Sequence, residues 1–114
     1  MADRYLKNLD FEKALDMAAL VTYQDGQIVS RTLVQNQAIS ITLFAFYQGE
    51  EISTHESRGD AMVMVLDGSA SITIGEQKHP VCAGQTIVMP ANVPHAVAAA
   101  SRFKMLLVVV FPAP

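Results

Sequence analysis

One cysteine, no tryptophan and three histidines are all that 114 residues supply of these types, and each scarcity removes a class of explanation. The single thiol, Cys82, closes no internal disulfide, so the chain is not a stapled secreted scaffold. In a strand context it reads as a small buried hydrophobe rather than a nucleophile. Charge is thin as well: eight Lys and Arg stand against eleven Asp and Glu, for a net charge of −3. The basic residues are scattered rather than gathered into a stripe that would neutralise a phosphate backbone, which argues against nucleic acid as a partner. Long apolar runs are missing too. The longest, Met105 to Phe111, is far short of the roughly 20 residues that cross a bilayer. The opening Met1-Ala-Asp-Arg-Tyr-Leu-Lys lacks the apolar stretch of a signal peptide. The expectation is a cytoplasmic protein with no membrane partner.

What the chain has in quantity is apolar side chain: 51% of residues, with a mean hydropathy of +0.26. A single domain spanning residues 1–114 has too little interior to hide that much, so part of it is expected in a subunit interface. From Ile28 onward β-favouring residues dominate in short runs: 28–34, 38–47, 51–57, 61–66, 70–74, 78–82, 86–89, 95–99 and 103–111. Turn residues interrupt them at Asn36, Gly49, Arg58-Gly59, Asp67-Gly68, Gly75, Ala83-Gly84, Pro90 through Pro94, and Ser101-Arg102. Many short strands with no helical period between them predict an all-β antiparallel sandwich or barrel over about 21–112.

Before the barrel, residues 10–20 predict a short α-helix. Asp10 stands as N-cap, Glu12 sits in the first turn, and Phe11, Leu15, Ala18 and Ala19 make an apolar face. Asp25-Gly26 between Val21–Tyr23 and Ile28-Val29 is a type I′ hairpin signal. Two strands, 61–66 and 103–111, are apolar on both alternating faces, whereas a strand with one wet face alternates. Each is therefore expected to be covered twice, by the barrel interior and by the helix or a second copy, and a homodimer built by sheet packing follows. Met62, Met64, Met89 and Met105 read as adaptable fillers of the core or that interface.

Two segments carry the chemistry. Gly49-Glu-Glu-Ile-Ser-Thr-His55-Glu-Ser57 runs through Asp60 and Ala61 to Gly68. Gly84-Gln-Thr-Ile-Val-Met-Pro90-Ala-Asn92-Val-Pro94-His95 follows. The spacings Gly49, His55, Gly68 and Gly84, Pro90, His95 resemble the two motifs of the cupin superfamily, written G-x5-H-x-H-x3-E-x6-G and G-x5-P-x-G-x2-H-x3-N. The resemblance covers about 49–99 and implies a small RmlC-like jelly roll, a double-stranded β-helix. Its metal-binding members hold a divalent ion with three histidines and a glutamate. Here Ser57 replaces the second histidine, Ala61 the glutamate, Asn92 the glycine and Ala99 the asparagine, so only His55 and His95 remain. Glu51, which shares strand parity with His55, and Asp60, beside the Ala61 position, are the carboxylates available to complete a set. The third histidine, His79, lies outside both motifs and reads as structural or exposed. Asn92, between two prolines, is explained by its tolerance of positive φ.

Three readings stay open at this level. The first is a small-molecule-binding protein with a pocket lined by His55, Ser57, Ala61, Val63 and His95. The second is an oxygenase- or isomerase-like enzyme in which His55 and His95, with Glu51 or Asp60, bind Fe, Mn, Ni or Zn. The third is a metal-free isomerase or epimerase with a histidine general base, which needs a carboxylate partner. A divalent metal and no cofactor at all are both compatible with these residues.

Overall fold

The computed structural model describes residues 3–113; Met1 and Ala2, where the segment read for a leader begins, lie outside them. Eight strands follow one 3-10 turn: β1 (Ile28–Gln35), β2 (Ile39–Phe46), β3 (Glu51–His55), β4 (Asp60–Ile74), β5 (Gln77–Cys82), β6 (Thr86–Met89), β7 (His95–Ala98) and β8 (Phe103–Val110). All pair antiparallel, in two sheets that share β4. Sheet I runs β1-β2-β8-β4-β6, and sheet II runs β3-β7-β4-β5. This is the jelly-roll barrel expected. Among the described residues no helix is long and apolar enough to cross a membrane.

The long strand β4 departs from the sequence reading, which broke it at Asp67-Gly68. The chain does not turn back there. It bulges between Val65 and Asp67 and passes from sheet I to sheet II, with Gly68 at φ +70°. A Cβ on Gly68 would collide with the Arg102 carbonyl oxygen, so glycine is required by both conformation and space. The bulge also changes parity. Ala61, Val63 and Val65 face inward before it, Ala70 and Ile72 after it, so one strand lines the interior of both sheets.

Between the sheets lies the main core, built on Phe46, Val63, Val65, Ile72, Val97, Phe103 and Met105. Phe46 and Phe103 stack at 4.5 Å between ring centroids, 16° from parallel. Each fully buried side chain of this size contributes about 1.5–3 kcal/mol. Met89 and Met105 belong to this core, whereas Met62 and Met64 are exposed on the outer face of sheet I.

The N-terminal region corrects the helix expectation. Only Met17–Leu20 are helical, as one 3-10 turn capped by the Asp16 carboxylate on the Ala18 N–H at 3.2 Å. Glu12 has φ +60°, which no right-handed helix accommodates. Backbone groups before this segment and at its C-terminal end bond to the barrel. Arg31 Nε donates to the Asn8 carbonyl at 2.8 Å and Nη1 to that of Leu20 at 2.9 Å, while the Lys7 N–H donates to Leu33 at 2.8 Å. Leu9, Met17, Leu20 and Val21 then cover Leu33, Leu43, Ala45 and Leu106 in a second, smaller apolar cluster. Lys104 Nζ donates to the Ala18 carbonyl at 2.7 Å, and the Tyr23 hydroxyl donates to Asp67.

The Asp25-Gly26 turn forms, with the Gln27 N–H on the Gln24 carbonyl at 3.1 Å. It is not a type I′ hairpin, because Gly26 has positive φ and Asp25 does not, and no strand precedes it. That pattern is of type II. Residues 21–23 are drawn onto the sheet I cluster rather than into a ladder.

Candidate functional site

Strands β3 and β7 are antiparallel neighbours whose register sets His55 opposite His95, after a bulge between Ile52 and His55. Both histidines sit at strand ends held by the flanking loops. The Asn92 N–H donates to the Ser57 carbonyl at 2.7 Å, and the Gly75 N–H to Pro94 at 2.8 Å. Asn92 takes φ +62°, as expected between its two prolines. His95 shares parity with the core residues Val97 and Ala99 and is 2% exposed, whereas His55 lies exposed at the rim.

The two rings meet edge to face, 4.3 Å between centroids and 73° between planes, with Nε2 to Nε2 at 3.1 Å. Each Nδ1 points at a backbone carbonyl: His55 at Ser53, 2.9 Å away, and His95 at Val93, 3.1 Å away. A carbonyl only accepts, which assigns the proton of each neutral ring to Nδ1. Both Nε2 lone pairs then converge on one point. A shared proton, a cation or a hydrogen-bond donor from a ligand satisfies them. Burial pushes His95 below the ordinary imidazole pKa, and the His55 ring presses the same way; the Val93 carbonyl and the Glu56 carboxylate push back without reversing it. Neither Nδ1 has a carboxylate partner, the feature a histidine general base needs.

Metal-ligating histidines commonly donate their second ring N–H to a carbonyl, and both do so here. As a pair of donors they fit. The full set does not: among the described residues no group of three His, Cys, Asp or Glu side chains comes together to hold an ion, and structural or catalytic sites take three or more protein ligands. Glu51 faces the outside of sheet II, opposite Ala98 in the register. Asp60 turns away at the other end of β4, its Oδ1 accepting the Ala91 N–H at 2.9 Å.

The remaining predicted pocket residues divide. Ser57 is half-buried, its hydroxyl accepting the Gly59 N–H at 3.2 Å. Ala61 and Val63 face the interior as their parity predicts, but at 2% and 0% exposure they are packed inside the core and offer a ligand no surface. His79 is half-buried in a separate cavity with Gln85 and Thr86. Cys82, read as buried, is exposed and free, because its end of β5 turns its side chain outward beyond Val81. The carboxylate that acts on His95 is Glu56, overlooked in the sequence although it directly follows His55.

A family model described as a cupin domain matches residues 42–111, a stretch that holds both histidines. The chain belongs to the cupin family. Solved structures agree with it over most or all of its length. A conserved protein of unknown function from Streptococcus pyogenes is 48% identical, with 100% of each chain covered and a TM-score of 0.97. A cupin superfamily protein from Desulfitobacterium hafniense is 36% identical over 94% of this chain and 98% of that one, TM-score 0.89. A cupin 2 conserved barrel domain protein from Leptotrichia buccalis is 42% identical over 82% of this chain and 45% of that one, TM-score 0.79. Among curated proteins no match is found.

Proposed function

We propose that this cupin is a cytoplasmic small-molecule-binding protein whose ligand is anchored by His55 and His95 at the mouth of the barrel. One observation carries the reading: two Nε2 atoms 3.1 Å apart, each aimed by an Nδ1 contact to a backbone carbonyl. Such an arrangement is prepared to receive a donor or a cation without rearranging, so little ordering is lost on binding. The filled interior behind it, with Ala61 and Val63 sealed, makes the site a shallow polar seat at the rim rather than a deep pocket. An exposed free thiol at Cys82 suits a reducing compartment.

The test is an NMR titration of the histidine ring signals with sugars, 2-keto acids and aromatic acids, and separately with zinc and ferrous ions. The reading expects a saturable shift of the His55 and His95 signals with an organic ligand, and no saturable binding of that ligand to the His55→Ala/His95→Ala protein in calorimetry. Binding of those compounds that survives the double substitution overturns it.

We further infer a homodimer through the outer face of sheet I. Register places Val34, Ile41, Val108, Met62 and Val88 in one row across all five strands. The cluster under the N-terminal segment takes in Leu33, Leu43, Ala45 and Leu106 and ends at Ile41. Beyond that, Met62, Met64, Val88 and Val110 are exposed, at 37%, 36%, 50% and 55%. Contiguous apolar surface of this kind marks an interface more often than open water. Sedimentation velocity at micromolar concentration that gives a 12.4 kDa monomer contradicts this inference.

A further inference from the structure

The outer face of sheet II carries a cavity of about 290 Å³, separate from the histidine pair and lined by Glu51, Ser53, Thr54, Ser71, Thr73, Lys78, Ala96 and Ala98 together with Ile52 and Val97. Its shape follows from side-chain size. The central strands β7 and β4 present only short side chains outward: Ala98 beside Ser71, and Ala96 beside Thr73. The flanking strands β3 and β5 present long ones, Glu51 opposite Ala98 and Lys78 opposite Thr73. Short residues between long ones make a trough that runs along β7 and β4, walled by β3 and β5. Its two walls have opposite charge.

Nothing within the protein uses these groups. Among the described residues, Glu51 and Lys78 form no ion pair, and the hydroxyls of Ser53, Thr54, Ser71 and Thr73 enter no side-chain hydrogen bond. A face that served only to meet water has no need of a recess, whereas here a carboxylate, an ammonium and four hydroxyls surround one. Three inter-strand steps and one two-residue offset put the Glu51 and Lys78 backbones about 16 Å apart. Side chains stand roughly perpendicular to a sheet, so the charged ends keep about that separation, which an extended tripeptide about 10 Å long spans with a charge-assisted contact of about 2.8 Å at each end.

We propose that this trough binds a short zwitterionic peptide. Its ammonium lies on Glu51 and its carboxylate on Lys78, both as charge-assisted contacts, and its amide groups exchange hydrogen bonds with the Ser and Thr hydroxyls between. The floor of Ala96 and Ala98 leaves room for backbone, so small side chains are favoured. The site is independent of the histidine pair, and either stands if the other fails.

The experiment is a titration of the isotope-labelled full-length protein with triglycine, followed by backbone amide NMR, with N-acetyl-triglycine and triglycine amide as controls. Saturable shifts are expected at Ser53, Thr73, Ala96 and Ala98. Removing either terminal charge from the ligand is expected to weaken binding about tenfold, the scale of one charge-assisted contact. Two exposed-site variants assign the ends. In Glu51→Gln, acetylating the peptide should make no further difference; in Lys78→Met, amidating it should make none. Ala98→Leu, which fills the trough, should abolish the shifts while the remaining spectrum is retained. The proposal is overturned if triglycine causes no saturable shift, if the shifts centre on His55 and His95, or if the blocked peptides bind as well as the free one.

Discussion

The outer faces of the two sheets are made partly by the same strand and could hardly differ more. On sheet I, β4 presents Met62 and Met64 among Val88, Val108 and Leu106. On sheet II, a few residues later, it presents Ser71 and Thr73 among Ala96, Ala98 and Lys78. Inside, β4 is apolar throughout, from Ala61 to Ile72. The interior of a small barrel is thus set by the need to exclude water, while each exterior is free to be specialised. One is suited to apolar association and the other to polar contact. The bulge before Gly68 makes the division, because it exchanges the inward and outward residues at the point where β4 changes sheets.

Breaking that bulge should have the largest effect. Gly68→Ala meets both a positive φ and the Arg102 carbonyl, and a loss of about 3 kcal/mol or more in urea unfolding is expected. Charging the apolar face comes next. Met62→Lys with Val88→Lys should convert the proposed dimer to monomer in sedimentation velocity, while Thr73→Lys on the opposite face leaves the assembly unchanged. If both behave alike, the contrast between the faces has no bearing on association. Third, the buried His95 makes stability depend on pH. Its folded pKa lies below its ordinary value of 6.5, so the unfolded chain takes up the proton first. Stability should fall as pH drops from about 7 through the unfolded value towards the folded one, by at most about 1.4 kcal/mol per unit, and be flat above. Urea midpoints for the parent and His95→Gln at pH 5.5 and 7.5 check the sign, since the variant should lose this component. The smallest effect belongs to the N-terminal strap: Tyr23→Phe removes the hydrogen bond to Asp67 and should cost about 1 kcal/mol.

Much of this architecture was legible in the residues. Strand runs and breakers placed seven of the eight strands nearly as they occur, because half-buried β-strands write a period of two and turn residues punctuate it. Asp67-Gly68 was misread because a bulge and a turn ask for the same positive-φ glycine. Residues 10–20 failed for a different reason: their helical spacing is real, but bonds that tie the segment and its flanks to the barrel, donated by Arg31 and Lys104 of the barrel and by the Lys7 N–H, outweigh the weak preference of a short helix. At the site, motif spacing brought His55 and His95 forward, and parity correctly turned Ala61 and Val63 inward. Neither could show that the space beyond them is filled, since occupancy depends on Phe46, Phe103 and Met105 arriving from distant strands. The sheet II trough was invisible for the same reason, being written across four strands.

The convergence of the two Nε2 atoms is the point on which the functional account turns, and long-range proton–nitrogen NMR of the imidazole rings tests it most directly. The account predicts that at neutral pH both His55 and His95 carry their proton on Nδ1 and leave Nε2 as acceptor. Either ring found as the Nε2–H tautomer with a bare Nδ1 would mean that the carbonyls of Ser53 and Val93 do not aim the pair, and the proposed anchor would be lost.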